Sequence, residues 1–231
     1  MKWVFIFLVF VISALAEAQE STRYETNLNI IRSREAYQES IHKNTDNQLV
    51  NLEKEIPNIV LDIRYATDDN FTGQKIYTES KAFARRPVAE ALKRVQKILA
   101  EKDIGLIVYD AYRPYAATVR FYEVFKDTTF VASPYSGSRH NRGAAVDISL
   151  MDIKTGKELE MPTDYDSFSD TAAPDFPDLP ENVKLNRDLL IKVMHDNGFT
   201  VYHSEWWHFD YQNWKEYELL DLSFDMLEES K

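Results

Sequence analysis

Hydrophobic and polar positions divide this chain into stretches of unlike period. An apolar run from Trp3 to Ile12 follows Met1-Lys2 and gives way to Ser13-Ala14-Leu15-Ala16-Glu17-Ala18. A basic start, a short apolar stretch and small residues at cleavage spacing form a secretory signal-peptide pattern, and the run is too short to cross a bilayer comfortably. Cleavage after Ala16 or Ala18 is therefore expected, with residues 1–18 removed, the mature protein periplasmic or secreted, and no stable membrane insertion afterwards. From Glu20 to about Asn51 polar residues dominate without a sustained period, so residues 19–55 read as an extension, poorly ordered or draped on a domain spanning 56–231.

Beyond that point the periods sharpen. Ile59 to Tyr65 is β-branched and partly alternating, which predicts a strand ending in the turn residues Asp68 to Gly73. After Arg86-Pro87, apolar residues at Val88, Ala91, Leu92, Val95, Ile98 and Leu99 recur at helical spacing with proline at the start. Gly105 to Asp110 predicts a buried strand, Pro114 opens a second helix through Phe125, and Ala144 to Leu150 alternates as a further strand. Lys154 to Pro180 is rich in Asp, Pro, Thr and Ser, the composition of a long loop, and such loops in compact domains serve as lids or binding segments. Arg187 to Asn197 predicts a helix stopped by Asn197-Gly198, followed by closing strands over Phe199–Tyr202 and Trp206–Tyr211.

Composition narrows the partners. With 38 acidic against 27 basic residues, the net charge of −11 argues against nucleic acid and against an anionic membrane surface. There is no cysteine, so any metal site must use His, Asp or Glu, and no disulfide or lipid-modified cysteine exists.

Two clusters carry candidate chemistry: Ser138 to Asp147, containing His140, and Ser204 to Phe209, containing Glu205 and His208. Catalytic zinc commonly takes three protein ligands from His and carboxylates and keeps a position for water. His140, Asp147 and His208 fill that count and leave Glu205 as a general base, although Glu205 could instead bind the ion, and mixed His/Asp ligands also suit other first-row metals. His140 and Asp147 could meet only if a turn at Arg142-Gly143 precedes the strand; Glu205 and His208 would face opposite sides of an ideal strand, so a bulge near Trp206 is required. Arg113 stands between a strand end and a helix start, where it could face an oxyanion or a substrate carboxylate, or simply pair with Asp110. His42, His195 and His203 lack an acidic partner with a credible role and read as ordinary side chains.

These residues form a recognisable set: Asp62-Ile63-Arg64-Tyr65-Ala66-Thr67 with Asn70-Phe71-Thr72-Gly73, Tyr112-Arg113-Pro114, Ser138-x-His140-x-Arg142-Gly143 through Asp147, and Glu205-Trp206-Trp207-His208. From about Ile59 to Tyr211 the chain closely resembles the D-alanyl-D-alanine dipeptidases of the vancomycin-resistance type, within the wider zinc D,D-peptidases. The resemblance implies an α+β fold of the zinc D,D-peptidase and Hedgehog-like kind, with a central antiparallel sheet flanked by helices. It implies one zinc per chain on His140, Asp147 and His208, with Glu205 as general base and Arg113 stabilising the tetrahedral intermediate. It also implies Ser138 near the substrate carboxylate, Tyr65 and Asp166 at the free amino terminus, and the small dipeptide D-Ala-D-Ala as substrate. A D,D-carboxypeptidase or endopeptidase acting on peptidoglycan stems would share this chemistry, and a zinc-stabilised binding module would lack it.

Overall fold

A computed structural model describes Tyr24 and residues 27–128 and 131–228; the expected signal peptide lies outside the described residues. No helix among the described residues is long and apolar enough to cross a membrane. The strands, in chain order, are β1 (Ile30–Ile31), β2 (Leu49–Asn51), β3 (Val60–Leu61), β4 (Phe83–Arg85), β5 (Ile104–Asp110), β6 (Ala145–Asp152), β7 (Lys157–Glu158), β8 (Phe199–Tyr202), β9 (Glu205–Tyr211) and β10 (Leu219–Leu220). The helices are α1 (Arg34–Lys43), α2 (Leu52–Glu55), α3 (Arg86–Ala100), α4 (Tyr115–Val124), α5 (Glu181–His195) and α6 (Phe224–Glu228).

The central sheet runs β3-β5-β6-β9-β8, with β7 added to β6. Every pairing in it is antiparallel except β3 with β5. This is the expected α+β architecture with one parallel edge. Helix α3 forms where the apolar stripe and Pro87 place it. Val88, Ala91, Leu92, Val95 and Leu99 are fully buried while Ile98 falls off the stripe and is 42% exposed. Burying each of the larger side chains contributes about 1.5–3 kcal/mol.

Two expectations need correction. The strand expected over Ile59–Tyr65 pairs only at Val60 and Leu61. The chain then winds into a short 3-10 turn at Arg64–Ala66, in which the Tyr65 carbonyl accepts from the Ile76 and Tyr77 N–H groups at 2.9 and 2.8 Å. That turn releases Tyr65 from the sheet.

Nor is the segment before residue 56 merely draped. Ser33 caps α1, its side chain accepting from the Ala36 N–H, and Tyr37, Leu49, Val50 and Leu52 join the main core. The Tyr37 hydroxyl accepts from the Leu49 N–H at 2.6 Å, and β2 pairs with β4. Arg85, fully buried, donates to the carbonyls of Asn47, Arg142 and Glu218 (3.1 Å to the last). Burial lowers its pKa to about 10, so it stays a cation at neutral pH, held by carbonyl dipoles rather than by a carboxylate. One side chain thus fastens the N-terminal segment to the turn carrying His140.

Candidate metal centre

Three neighbouring strands present one row of acids and imidazole. Asp110 on β5 lies opposite Asp147 on β6, and Asp147 lies opposite His208 on β9. Directly opposed residues share a sheet face, so the central strands themselves place two of the candidate ligands side by side.

His140 reaches the row from outside the sheet. It opens a 3-10 turn, His140–Arg142, that ends at Gly143 with φ +67°. A Cβ at Gly143 would lie 2.4 Å from Leu49 Cδ2, so glycine is required there both by conformation and by space. The turn returns the chain onto β6, as the spacing of His140 and Asp147 demanded. The bulge demanded near Trp206 is also present: the β8–β9 register shifts between Val201 and Tyr202, and Glu205 Oε2 comes within 3.7 Å of His208 Nδ1.

His140 Nε2, His208 Nδ1 and Asp147 Oδ1 form a triangle with sides of 3.1, 3.3 and 3.0 Å. The outer nitrogens fix the tautomers. His140 Nδ1 donates to the Ala111 carbonyl at 2.7 Å, and His208 Nε2 donates to Asp210 Oδ1 at 3.1 Å. In the neutral rings both inner nitrogens then carry lone pairs, and they face a buried Asp147 oxygen that accepts no hydrogen bond. Three lone pairs aimed at one point repel unless a positive charge lies among them. A tetrahedral ion with bonds of about 2.0 Å would hold its ligand atoms roughly 3.3 Å apart, which these side lengths match. His140, Asp147 and His208 could therefore hold a metal ion, and the residues fit it in number, protonation and spacing.

The electrostatics agree. Burial opposes a charged imidazole at His208, yet the carboxylates of Asp147 and Asp210 outweigh it and push the metal-free pKa up to about 10. Burial likewise opposes ionisation of Asp147, but the two histidines hold its carboxyl well below the usual range.

The remaining candidate residues line one cleft of about 520 Å³ around this triangle. Burial raises the pKa of Glu205, only partly offset by His208. Arg113 pairs with Asp110, one of the two readings offered for it, and lines the cleft. Its Nε and Nη2 donate to Asp110 Oδ2 at 2.9 and 2.8 Å, while Nη2 stays 4.0 Å from Asp147 Oδ2. Ser138 Oγ accepts from the His140 N–H at 3.2 Å. Tyr65 donates to Asp166 Oδ2 at 2.9 Å, so these two side chains, 101 residues apart in sequence, do meet. Burial first, then the negative charge of Asp147, raises the Asp166 pKa well above the usual carboxylate value.

Several supporting residues escaped the sequence reading. Tyr165 donates to Asp147 Oδ2 at 2.8 Å. Asn141, fully buried, accepts from the Ser138 N–H at 2.6 Å and donates to the Arg113 carbonyl at 2.9 Å. Asp210 orients His208, and its position two residues along the same strand was the available signal. His42, His195 and His203 remain outside the triangle, as expected.

An α+β domain with a two-histidine, one-aspartate triangle beside a free carboxylate in a cleft defines the class, a metal-dependent hydrolase. A sequence model of the D-Ala-D-Ala dipeptidase family matches residues 45–219. The chain belongs to that family. It is 32% identical over 177 residues to the D-alanyl-D-alanine dipeptidase of Escherichia coli (strain K12), covering 77% of this chain and 91% of that protein. It is 27% identical to the D-alanyl-D-alanine dipeptidase of Enterococcus faecalis (strain ATCC 700802 / V583), covering 71% and 91%. Among solved structures, the LdcB LD-carboxypeptidase matches with a TM-score of 0.42 at 18% identity, over 79% of this chain and 78% of that one. The vancomycin resistance D,D-dipeptidase VanXYg in complex with a D-Ala-D-Ala phosphinate analog matches with a TM-score of 0.37 at 20% identity, over 71% and 67%.

Proposed function

We propose that this protein is a zinc-dependent dipeptidase that hydrolyses D-alanyl-D-alanine to two D-alanines. The observation that carries the reading is the triangle of inward lone pairs with Glu205 beside it and outside it. His140, Asp147 and His208 would hold one zinc ion, which when bound supplies a Lewis acid and a water of lowered pKa.

The chain's own residues do the rest. Glu205, a carboxylate made more basic by burial, takes the proton of the attacking water and passes it to the departing amine. Arg113, locked by Asp110 but still facing the centre, stabilises the oxyanion that forms on the scissile carbonyl. Asp166, positioned by Tyr65, pairs with the free amino group of the substrate, which also selects a dipeptide over a longer chain because an acylated nitrogen carries no charge to pair. Ser138 faces the substrate carboxylate.

Replacing Glu205 tests the mechanism. Glu205→Ala is expected to bind zinc as the parent does, by metal analysis, while kcat falls by about 10²–10⁴; near-parental turnover would remove Glu205 from the chemistry. The substrate is tested by comparing free D-Ala-D-Ala with its N-acetyl form. Strong preference for the free dipeptide is expected, and faster cleavage of the acylated peptide would favour a carboxypeptidase instead.

An exported location is part of the same proposal, supported by the N-terminal pattern through Ala18. Intact-mass measurement of protein recovered outside the cytoplasm should show a chain beginning after Ala16 or Ala18. A full-length chain confined to the cytoplasm would reject it.

A further inference from the structure

The cleft that Asp166 lines also carries charge that the catalytic residues leave unused. Arg139 and Arg142 both line it, together with Tyr202 and Trp214. Arg139 lies with its guanidinium carbon 4.8 Å from the Trp214 ring centre and 5.2 Å from that of Tyr202, and Arg142 lies 5.7 Å from Trp214. These stacks hold both guanidinium groups in place while leaving their in-plane N–H groups available.

Among the described residues, Arg139 spends one N–H on Asp210 and Arg142 spends one on the Tyr217 carbonyl. Only Arg139 has a carboxylate partner within ion-pair distance, and Asp210 is shared with His208. Asp210 is divided between Arg139 and His208, and Glu218 acts on Arg142 only from beyond ion-pair distance, so neither guanidinium has a carboxylate to itself.

The two sets of residues connect to Asp147 through different oxygens. Asp147 Oδ2 faces Tyr165, the neighbour of Asp166, and Arg113, whereas Asp147 Oδ1 faces His208, whose other nitrogen leads through Asp210 to Arg139. A zwitterionic dipeptide needs an acid for its ammonium at one end and a base for its carboxylate at the other, with the scissile bond between. Ser138, a single neutral hydroxyl, does not neutralise a carboxylate.

We infer that Arg139 and Arg142 form the subsite for the C-terminal carboxylate of the substrate, with Arg139 the principal partner and Ser138 an auxiliary donor. The inference rests on the dipeptidase reading. Arg139 is a specificity-determining residue in this assignment: it fixes which end of the dipeptide lies beyond the scissile bond and rejects peptides whose C-terminus is blocked.

The test compares D-Ala-D-Ala with D-alanyl-D-alaninamide, which keeps the ammonium and scissile bond and lacks the carboxylate. The parent enzyme should favour the acid by about 10- to 100-fold in kcat/KM, the size expected for charge-assisted hydrogen bonds. Arg139→Met should raise KM for the acid by a similar factor, change kcat by no more than a few-fold, keep its zinc, and leave the amide almost unaffected, so that the preference collapses. Arg142→Met should lower the preference less. Arg139→Lys, which keeps the charge and serves if the Met variant folds poorly, should fall between. Loss of kcat and zinc with the acid-over-amide preference intact would overturn the assignment and make Arg139 a support for Asp210 alone. Equal cleavage of acid and amide by the parent would also overturn it. A parent that cleaves neither would overturn the dipeptidase reading beneath it.

Discussion

The turn carrying His140 and the loop carrying Asp166 face the same cleft, yet they are held by different forces. The His140 turn is clamped from several directions at once: Arg85 binds its Arg142 carbonyl, Asn141 ties it to Ser138 and Arg113, and Leu49 packs on Gly143. The Asp166 loop runs through a stretch with little regular structure. It is held by ring packing of Tyr165 and Phe168 and by single side-chain bonds, Tyr65 to Asp166, Tyr165 to Asp147 and Trp206 to Thr163 at 3.0 Å. Asp166 itself has φ +59°, an uncommon backbone state for a non-glycine residue that its surroundings must hold. A metal centre tolerates little displacement of its ligands, whereas a substrate-selecting acid needs only to meet an ammonium. On the proposed function, the rigid device would serve the chemistry and the lighter one the choice of substrate.

The largest effect should come from the rigid side. Asp147→Ala removes one ligand and leaves His140 and His208 facing each other across a gap, so stoichiometric zinc should be lost on gel filtration and turnover with it. Retention of one zinc per chain would show that the triangle is not the metal site. Next is Gly143→Ala, which places a Cβ against Leu49 and forces a strained backbone at φ +67°. It should lower stability by about 1–3 kcal/mol in urea unfolding and weaken zinc binding in parallel. A variant as stable as the parent would mean that Leu49 yields freely and that the clamp is loose.

Asp166→Ala probes the other region. It should cut kcat/KM on free D-Ala-D-Ala by about 10- to 100-fold, the size of a lost charge-assisted pair, and leave zinc content unchanged. Cleavage of N-acetyl-D-Ala-D-Ala should not fall. If the free and acetylated substrates declined together, Asp166 would be supporting the site rather than reading the amine.

How much of this was legible in the residues differs between the two regions and between ligands and their supports. The three residues that could hold a metal were legible because motif spacing encodes them. Gly143 two residues before the strand and a needed bulge beside Trp206 are local requirements, and local requirements leave local traces. The supports were not, because they act over long sequence distances through the backbone. Arg85 binds three carbonyls from segments centred on residues 47, 142 and 218, and a carbonyl has no sequence identity to read. The segment before residue 56 looked unstructured for a related reason: its buried apolar residues, Tyr37, Leu49, Val50 and Leu52, follow no single period because a helix, a strand and a helical turn each contribute one or two of them. Helix α5 begins at Glu181 rather than near Arg187, since before Arg187 only Val183 gives it a buried apolar position.

Tyr165 joins the two regions, and the smallest expected effect is therefore the most informative about them. Its ring stacks on Tyr109 with centroids 4.6 Å apart, its hydroxyl donates to the Asp147 oxygen that the metal triangle does not use, and its backbone is covalently next to Asp166. Tyr165→Phe keeps the stack and deletes the hydrogen bond. A ligand carboxylate that loses such an outer partner typically costs about tenfold in metal affinity, so zinc should bind roughly 3- to 10-fold more weakly by competition with a chelator, while the preference for a free amino group stays at the parental value. If that preference falls as well, Asp166 takes its position from the metal centre through Tyr165. The double variant Tyr165→Phe with Tyr65→Phe would then lose more selectivity than the two single changes predict, whereas independent regions would give losses that add.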